Sequence, residues 1–136
     1  MNVVLTCYAK KGKGSFTIER EGKTVYKDVF NINKVGVTLK EYIFEVITKG
    51  LKVARTFINH DDLLLICLQN GHMVEWLNGS KDYKDYSKYL DVVYDIIDTL
   101  DCKYLFTLSN VKKAKDIIGC DVVKDELTGV SSLLDM

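Results

Sequence analysis

The stretch Asp62-Leu-Leu-Leu-Ile-Cys-Leu-Gln-Asn-Gly-His-Met-Val-Glu-Trp-Leu77 decides the fold. Leu63 to Leu68 is an unbroken apolar run without polar alternation. It is far shorter than the roughly 20 residues of a membrane span, and it reads as a strand covered on both faces. Gln69-Asn70-Gly71 stops the run, after which Met73, Val74, Trp76 and Leu77 fall on one side of a short helix over 71–78. A buried strand that ends in a turn opening a helix is where α/β proteins place their sites, outside the carboxyl ends of the strands. An enzyme would carry a carboxylate there, whereas this chain carries the amide of Asn70.

Upstream, Leu39, Ile43, Val46, Ile47, Leu51, Ala54, Phe57 and Ile58 recur at intervals of three and four. That spacing predicts an amphipathic helix over 39–58, opened by Thr38 and closely packed at Gly50. Three strands are expected before it, at 3–8, 15–21 and 24–32, with the first of them central. A flexible basic turn, Lys10-Lys11-Gly12-Lys13-Gly14, and a tight turn, Glu21-Gly22-Lys23, join them. Downstream, Tyr86, Tyr89, Leu90, Val93, Ile96, Ile97 and Leu100 define the inner face of a helix over 85–100, and Asp91, Asp95 and Asp98 form an acidic stripe outside. Tyr104–Leu108 reads as a buried fifth strand, and 110–118 as a lysine-rich helix that Gly119 ends. Residues 120–136 read ambiguously. The order predicts an α/β fold, a mixed five-stranded sheet with helices on both faces. Three antiparallel strands are followed by two parallel additions placed beside the first by right-handed crossovers.

With 136 residues, 47% apolar and 28% charged, the chain has the make-up of one globular domain over 1–136. No targeting segment or spanning run is seen, so a cytoplasmic location is expected. Cys7, Cys67, Cys102 and Cys120 are scattered without a CxxC, and His60 and His72 match no metal-ligand spacing. Buried thiols in a reducing compartment are expected, with neither metal nor cofactor. Lys11-Gly12-Lys13-Gly14 lacks the spacing and the following helix of a phosphate loop, which weighs against a nucleotide binder near Asn70 and His72. The formal net charge is zero but uneven: residues 1–58 carry 11 Lys/Arg against 5 Asp/Glu, and residues 59–101 carry 3 against 9. Such a division separates a face for a polyanion or acidic partner from one that repels it.

Over residues 2–118 this order of elements resembles the ribonuclease H-like fold. In that family four carboxylates hold two Mg²⁺ ions that drive phosphodiester hydrolysis. The resemblance carries the first-strand carboxylate onto Cys7, in Leu5-Thr6-Cys7-Tyr8, and the first-helix one onto Glu41, in Thr38-Leu39-Lys40-Glu41-Tyr42. It carries the fourth-strand carboxylate onto Asn70 and the last-helix one onto Asp116. Two of the four positions therefore hold no acid. Thr38 and Glu41 also have the spacing of a capping box, and Asn70-Gly71 suits a turn. The resemblance implies a degenerate, catalytically inactive member, a pseudoenzyme that binds a partner beside a vestigial site of Cys7, Glu41, Asn70 and Asp116.

Lys10, Lys11 and Lys13 are the candidates for contact with a polyanion, and Asp91, Asp95 and Asp98 for contact with a basic protein. The neutral total charge favours the protein partner over nucleic acid. One alternative is a metal-dependent nuclease with ligands relocated to Asp28, Asp61, Asp62 and Asp121. Another is a nucleic-acid-binding accessory protein of a phage or mobile element, in keeping with the lysine-rich, proline-free composition.

Overall fold

The computed structural model describes residues 1–34, 36–79 and 86–118. The chain begins as a meander of β1 (Asn2–Lys10), β2 (Lys13–Arg20) and β3 (Lys23–Asn31). Gly12 and Gly22, at φ +85° and +78°, make its two tight turns, a left-handed backbone that glycine adopts without a Cβ clash. Next come α1 (Leu39–Ala54), a 3₁₀ turn at Arg55–Phe57, β4 (Leu63–Leu68), α2 (Gly71–Leu77), α3 (Ser87–Asp98) and β5 (Lys103–Leu108). Residues 112–118 are helical and are called α4. The sheet order is β3-β2-β1-β4-β5. The pairs within the meander are antiparallel, and β1–β4 and β4–β5 are parallel. This is the mixed five-stranded sheet expected, with β1 at its centre.

Register assigns the faces. Val3 lies beside Leu64 and Leu5 beside Ile66, so the two-residue period puts Val3, Leu5, Cys7, Leu64, Ile66 and Leu68 on one face. All six are fully buried there. α1 covers this face with Ile43, Val46, Ile47 and Leu51, the stripe its sequence spacing foretold. α3 packs beside α1 and buries Val93, Ile96 and Ile97. α4 lies on the opposite face, where Ser15 Oγ donates to the Ala114 carbonyl at 2.6 Å and Lys113 Nζ meets Glu19 at 2.7 Å. At the amino end of the sheet, buried Asp62 accepts hydrogen bonds from Arg20 and from the Asn59 N–H, each at 2.7 Å.

Several local expectations are corrected. Lys10–Gly14 is not one flexible turn: β1 runs to Lys10, β2 resumes at Lys13, and Gly14 packs inside the sheet. α1 stops at Ala54, and Arg55–Phe57 tighten into the 3₁₀ turn. α4 starts at 112 because Val111 is held at φ 48°, outside the right-handed helical region. β4 is covered on one face only, since Leu63, Leu65 and Cys67 are half-buried while their neighbours are buried. β5 is not a buried strand. It forms the sheet edge, where Phe106 alone is buried. The expected helix start at Asp85 and the tail 120–136 lie outside the described residues.

Candidate functional site

The site expected from the sequence is the crevice at the carboxyl ends of β1 and β4. The two strands pair from Asn2↔Leu63 to Thr6↔Cys67, and β1 then continues to Lys10. Gln69 enters the gap: its Nε2 donates to the Ala9 carbonyl at 2.9 Å, and its Oε1 accepts the Ala9 N–H at 2.7 Å. A side-chain amide thus extends the ladder where the crevice would open. Asn70, next in line, caps α2, its Oδ1 accepting the Met73 N–H at 3.0 Å. That bond satisfies a backbone donor that the first helical turn leaves unpaired. Cys7 faces α1 with no solvent exposure. Burial, and then the neighbouring Cys67, push its thiol pKa up, so it stays protonated.

Glu41 occupies the first turn of α1 and forms a capping box with Thr38. Its carboxylate accepts the Thr38 N–H at 3.0 Å and the Tyr89 hydroxyl at 2.5 Å. The Thr38 backbone bond first, then Tyr89, hold Glu41 below the usual carboxylate range, and the same contact pushes Tyr89 up to about 12. Glu41 therefore turns toward α3. The sheet-facing stripe of α1 begins with Ile43, which is buried and apolar. Asp116 is exposed on α4, across the sheet from α1, and pairs with Lys112 at 2.9 Å. The structure brings Cys7 and Asn70 to neighbouring strand ends, but it shows Glu41 and Asp116 bonded elsewhere.

The alternative ligands are also dispersed. Asp28 on β3 pairs with Lys49 at 3.4 Å, Asp61 is exposed, Asp62 is buried at the amino end of β4, and Asp121 lies outside the described residues. Among the described residues no three His, Cys, Asp or Glu side chains gather to hold a metal ion. Mg²⁺ takes hard oxygen ligands, commonly carboxylates. The matched positions offer a buried thiol, a neutral amide already accepting a hydrogen bond, and two carboxylates on different elements. This donor set does not fit a pair of Mg²⁺ ions.

Lys10 and Lys11 are exposed on the β1–β2 turn, at the same end of β1 as the crevice, and Lys13 is half-buried. Asp91, Asp95 and Asp98 are exposed on α3, and among the described residues none of them has an ion-pair partner. His60 and His72 are exposed and stand apart. Three residues with defined roles were not singled out from the sequence. They are Gln69, Tyr89 and Asn78, whose amide bonds both the N–H and the C=O of Phe106, at 3.2 and 2.8 Å. Gln69 and Asn78 are each the first polar residue after an apolar stretch, which is the only local signal they carry.

No family model matches the chain, and no curated protein matches it. Solved structures do. RNase H1 from the halophilic archaeon Halobacterium salinarum NRC-1 superposes with TM-score 0.67 at 13% identity, over 85% of this chain and 91% of that one. LC11-RNase H1, solved in complex with an RNA/DNA hybrid, gives 0.65 at 13% identity, over 83% and 87%. The N-terminal RNase H domain of rv2228c from Mycobacterium tuberculosis gives 0.69 at 10% identity, over 95% and 99%. At these identities the likeness establishes the fold. No helix among the described residues is long and apolar enough to cross a membrane.

Proposed function

We propose that this ribonuclease H-like chain is a pseudoenzyme that binds a protein partner without hydrolysing a phosphodiester. The observation that carries the reading is the state of the β1–β4 crevice. Gln69 is bonded to Ala9 there, Asn70 is committed to the cap of α2, and Cys7 is buried. Two-metal hydrolysis requires anionic ligands that hold both ions against their mutual repulsion and place the attacking water. A thiol is a soft donor that suits neither Mg²⁺ nor Mn²⁺, and an amide brings no charge. The test is incubation of the full chain with an end-labelled RNA–DNA hybrid in Mg²⁺ or Mn²⁺. No cleavage is expected, and turnover that disappears in Glu41→Gln would overturn the reading.

A protein partner is favoured by the exposed acids of α3, which repel nucleic acid and are left without cations by the described residues. A second reading, nucleic-acid binding without cleavage, is favoured by Lys10 and Lys11 at the crevice end. One structural neighbour was solved with an RNA/DNA hybrid, which gives the probe. If the second reading holds, anisotropy of a labelled hybrid will report binding that falls steeply from about 50 to about 200 mM salt. Lys10→Ala/Lys11→Ala/Lys13→Ala will then flatten that slope. No retention at low salt would remove nucleic acid as the partner.

A further inference from the structure

We infer that the outer edge of β5 is a docking site for an extended, lysine- or arginine-bearing segment of a partner protein, added to the sheet as a further strand. The inference rests on the reading of the chain as a protein-binding module and says where, and by what chemistry, the partner is held.

An edge strand presents a row of backbone N–H and C=O groups that another chain can pair with, and proteins protect such edges. The other edge, β3, is guarded by exposed Lys23 and Lys27. β5 is guarded differently. The Asn78 carboxamide makes with Phe106 the two bonds that a paired strand would make. Alternation along the strand then turns the N–H and C=O of Tyr104 and Leu108 outward as well. Among the described residues these groups have no hydrogen-bond partner. The edge thus accepts an amide at its central rung, and among the described residues nothing pairs with the rungs on either side.

The surroundings fit a bound segment. Tyr104, Leu105 and Leu108 are 38%, 48% and 60% exposed. They give an incoming strand apolar contacts beside its backbone bonds, as strand addition uses. Two clefts border the edge and share Tyr104. One is lined by Asn78, Tyr94 and Leu105, the other by His60, Asp98 and Asp101. Asp98 and Asp101 are exposed and have no ion-pair partner among the described residues. Asp98 and Asp101 outnumber the exposed Lys103 that lines the same cleft, so the rim of the groove favours a basic segment over an acidic one. A single carboxamide is a weak competitor, since a peptide replaces its two bonds and adds others on both sides.

The experiment measures anisotropy of a fluorescein-labelled peptide of alternating lysine and valine on the full chain at physiological salt. A glutamate–valine peptide and a lysine–valine peptide N-methylated at alternate residues serve as probes for charge and for backbone pairing. The lysine–valine peptide is expected to bind, and the other two are not. Asp98→Lys/Asp101→Lys, at exposed positions, should weaken binding about tenfold or more. Asn78→Ala should tighten it about threefold, because the central rung becomes free, whereas a purely structural Asn78 would give no tightening. Equal binding of the N-methylated peptide would overturn strand addition. Indifference to the Asp98 and Asp101 changes, or displacement of the peptide by an RNA–DNA hybrid, would overturn the site. Cleavage of a hybrid would instead defeat the pseudoenzyme reading and leave the peptide result standing.

Discussion

Gly14→Ala is the sharpest test of how α1 sits on the sheet. Gly14 lies in β2, between Ala9 of β1 and Phe30 of β3. A Cβ built there would stand 2.4 Å from Val46 Cγ2, 3.0 Å from Phe30 Cζ and 3.1 Å from Ile32 Cδ1. Val46 is fully buried in α1 and cannot swing away into solvent. Gly14 is not in the left-handed region, so the backbone itself admits alanine. By unfolded-chain entropy alone the change would stabilise by about 0.4–1 kcal/mol. Overpacking a fitted core costs about 1–3 kcal/mol, and a contact as close as this belongs toward the upper end. The clash should win, with a net loss of about 1–2 kcal/mol. Val46→Ala should by itself cost about 1–3 kcal/mol through the methyls removed. In the double variant the new methyl occupies space that Val46 has vacated, so the pair should be more stable than the sum of the singles by about 1 kcal/mol or more. Urea unfolding followed by Trp76 fluorescence, the only tryptophan in the chain, measures all four proteins. A neutral or stabilising Gly14→Ala, or strict additivity, would refute the close approach of α1 to β2.

Three further predictions concern charge. The Arg20 hydrogen bond first, then the Asn59 N–H, hold Asp62 below its ordinary value of 3.8. A folded pKa depressed in this way stabilises above the ordinary value, and the contribution is lost as pH falls through 3.8 toward the lowered folded value. Asp62→Asn should therefore lower the melting temperature at neutral pH and flatten its decline on acidification, and an unchanged acid limb would sink that account. Asn70→Asp should keep the fold within about 0.5 kcal/mol, since aspartate caps helices as asparagine does. Cys7→Asp/Asn70→Asp should gain Mg²⁺ affinity measurable by calorimetry, and no gain in a folded double variant would show that the two positions do not face one site.

What the sequence by itself determined was whatever depends on near neighbours. The spacing of Ile43, Val46, Ile47 and Leu51 marked the buried face of α1, and Thr38 with Glu41 marked its capping box. The succession of strands and helices, constrained by right-handed crossovers, led to β1 at the centre with β4 beside it. The amide at Asn70, where a site would have carried an acid, was visible without coordinates. Tertiary structure alone decided which backbone each polar group meets. Gln69 bonds Ala9, Asn78 bonds Phe106 and Tyr89 bonds Glu41, across 60, 28 and 48 positions of chain. It also decided that the apolar run of β5 lies at an edge and that Gly14 packs where a Cβ would run into Val46. Periodicity reports which face of an element is apolar, because that follows from the local helix or strand repeat. Sheet register and helix docking are fixed by the joint packing of residues distant in sequence, and no local repeat encodes those partners.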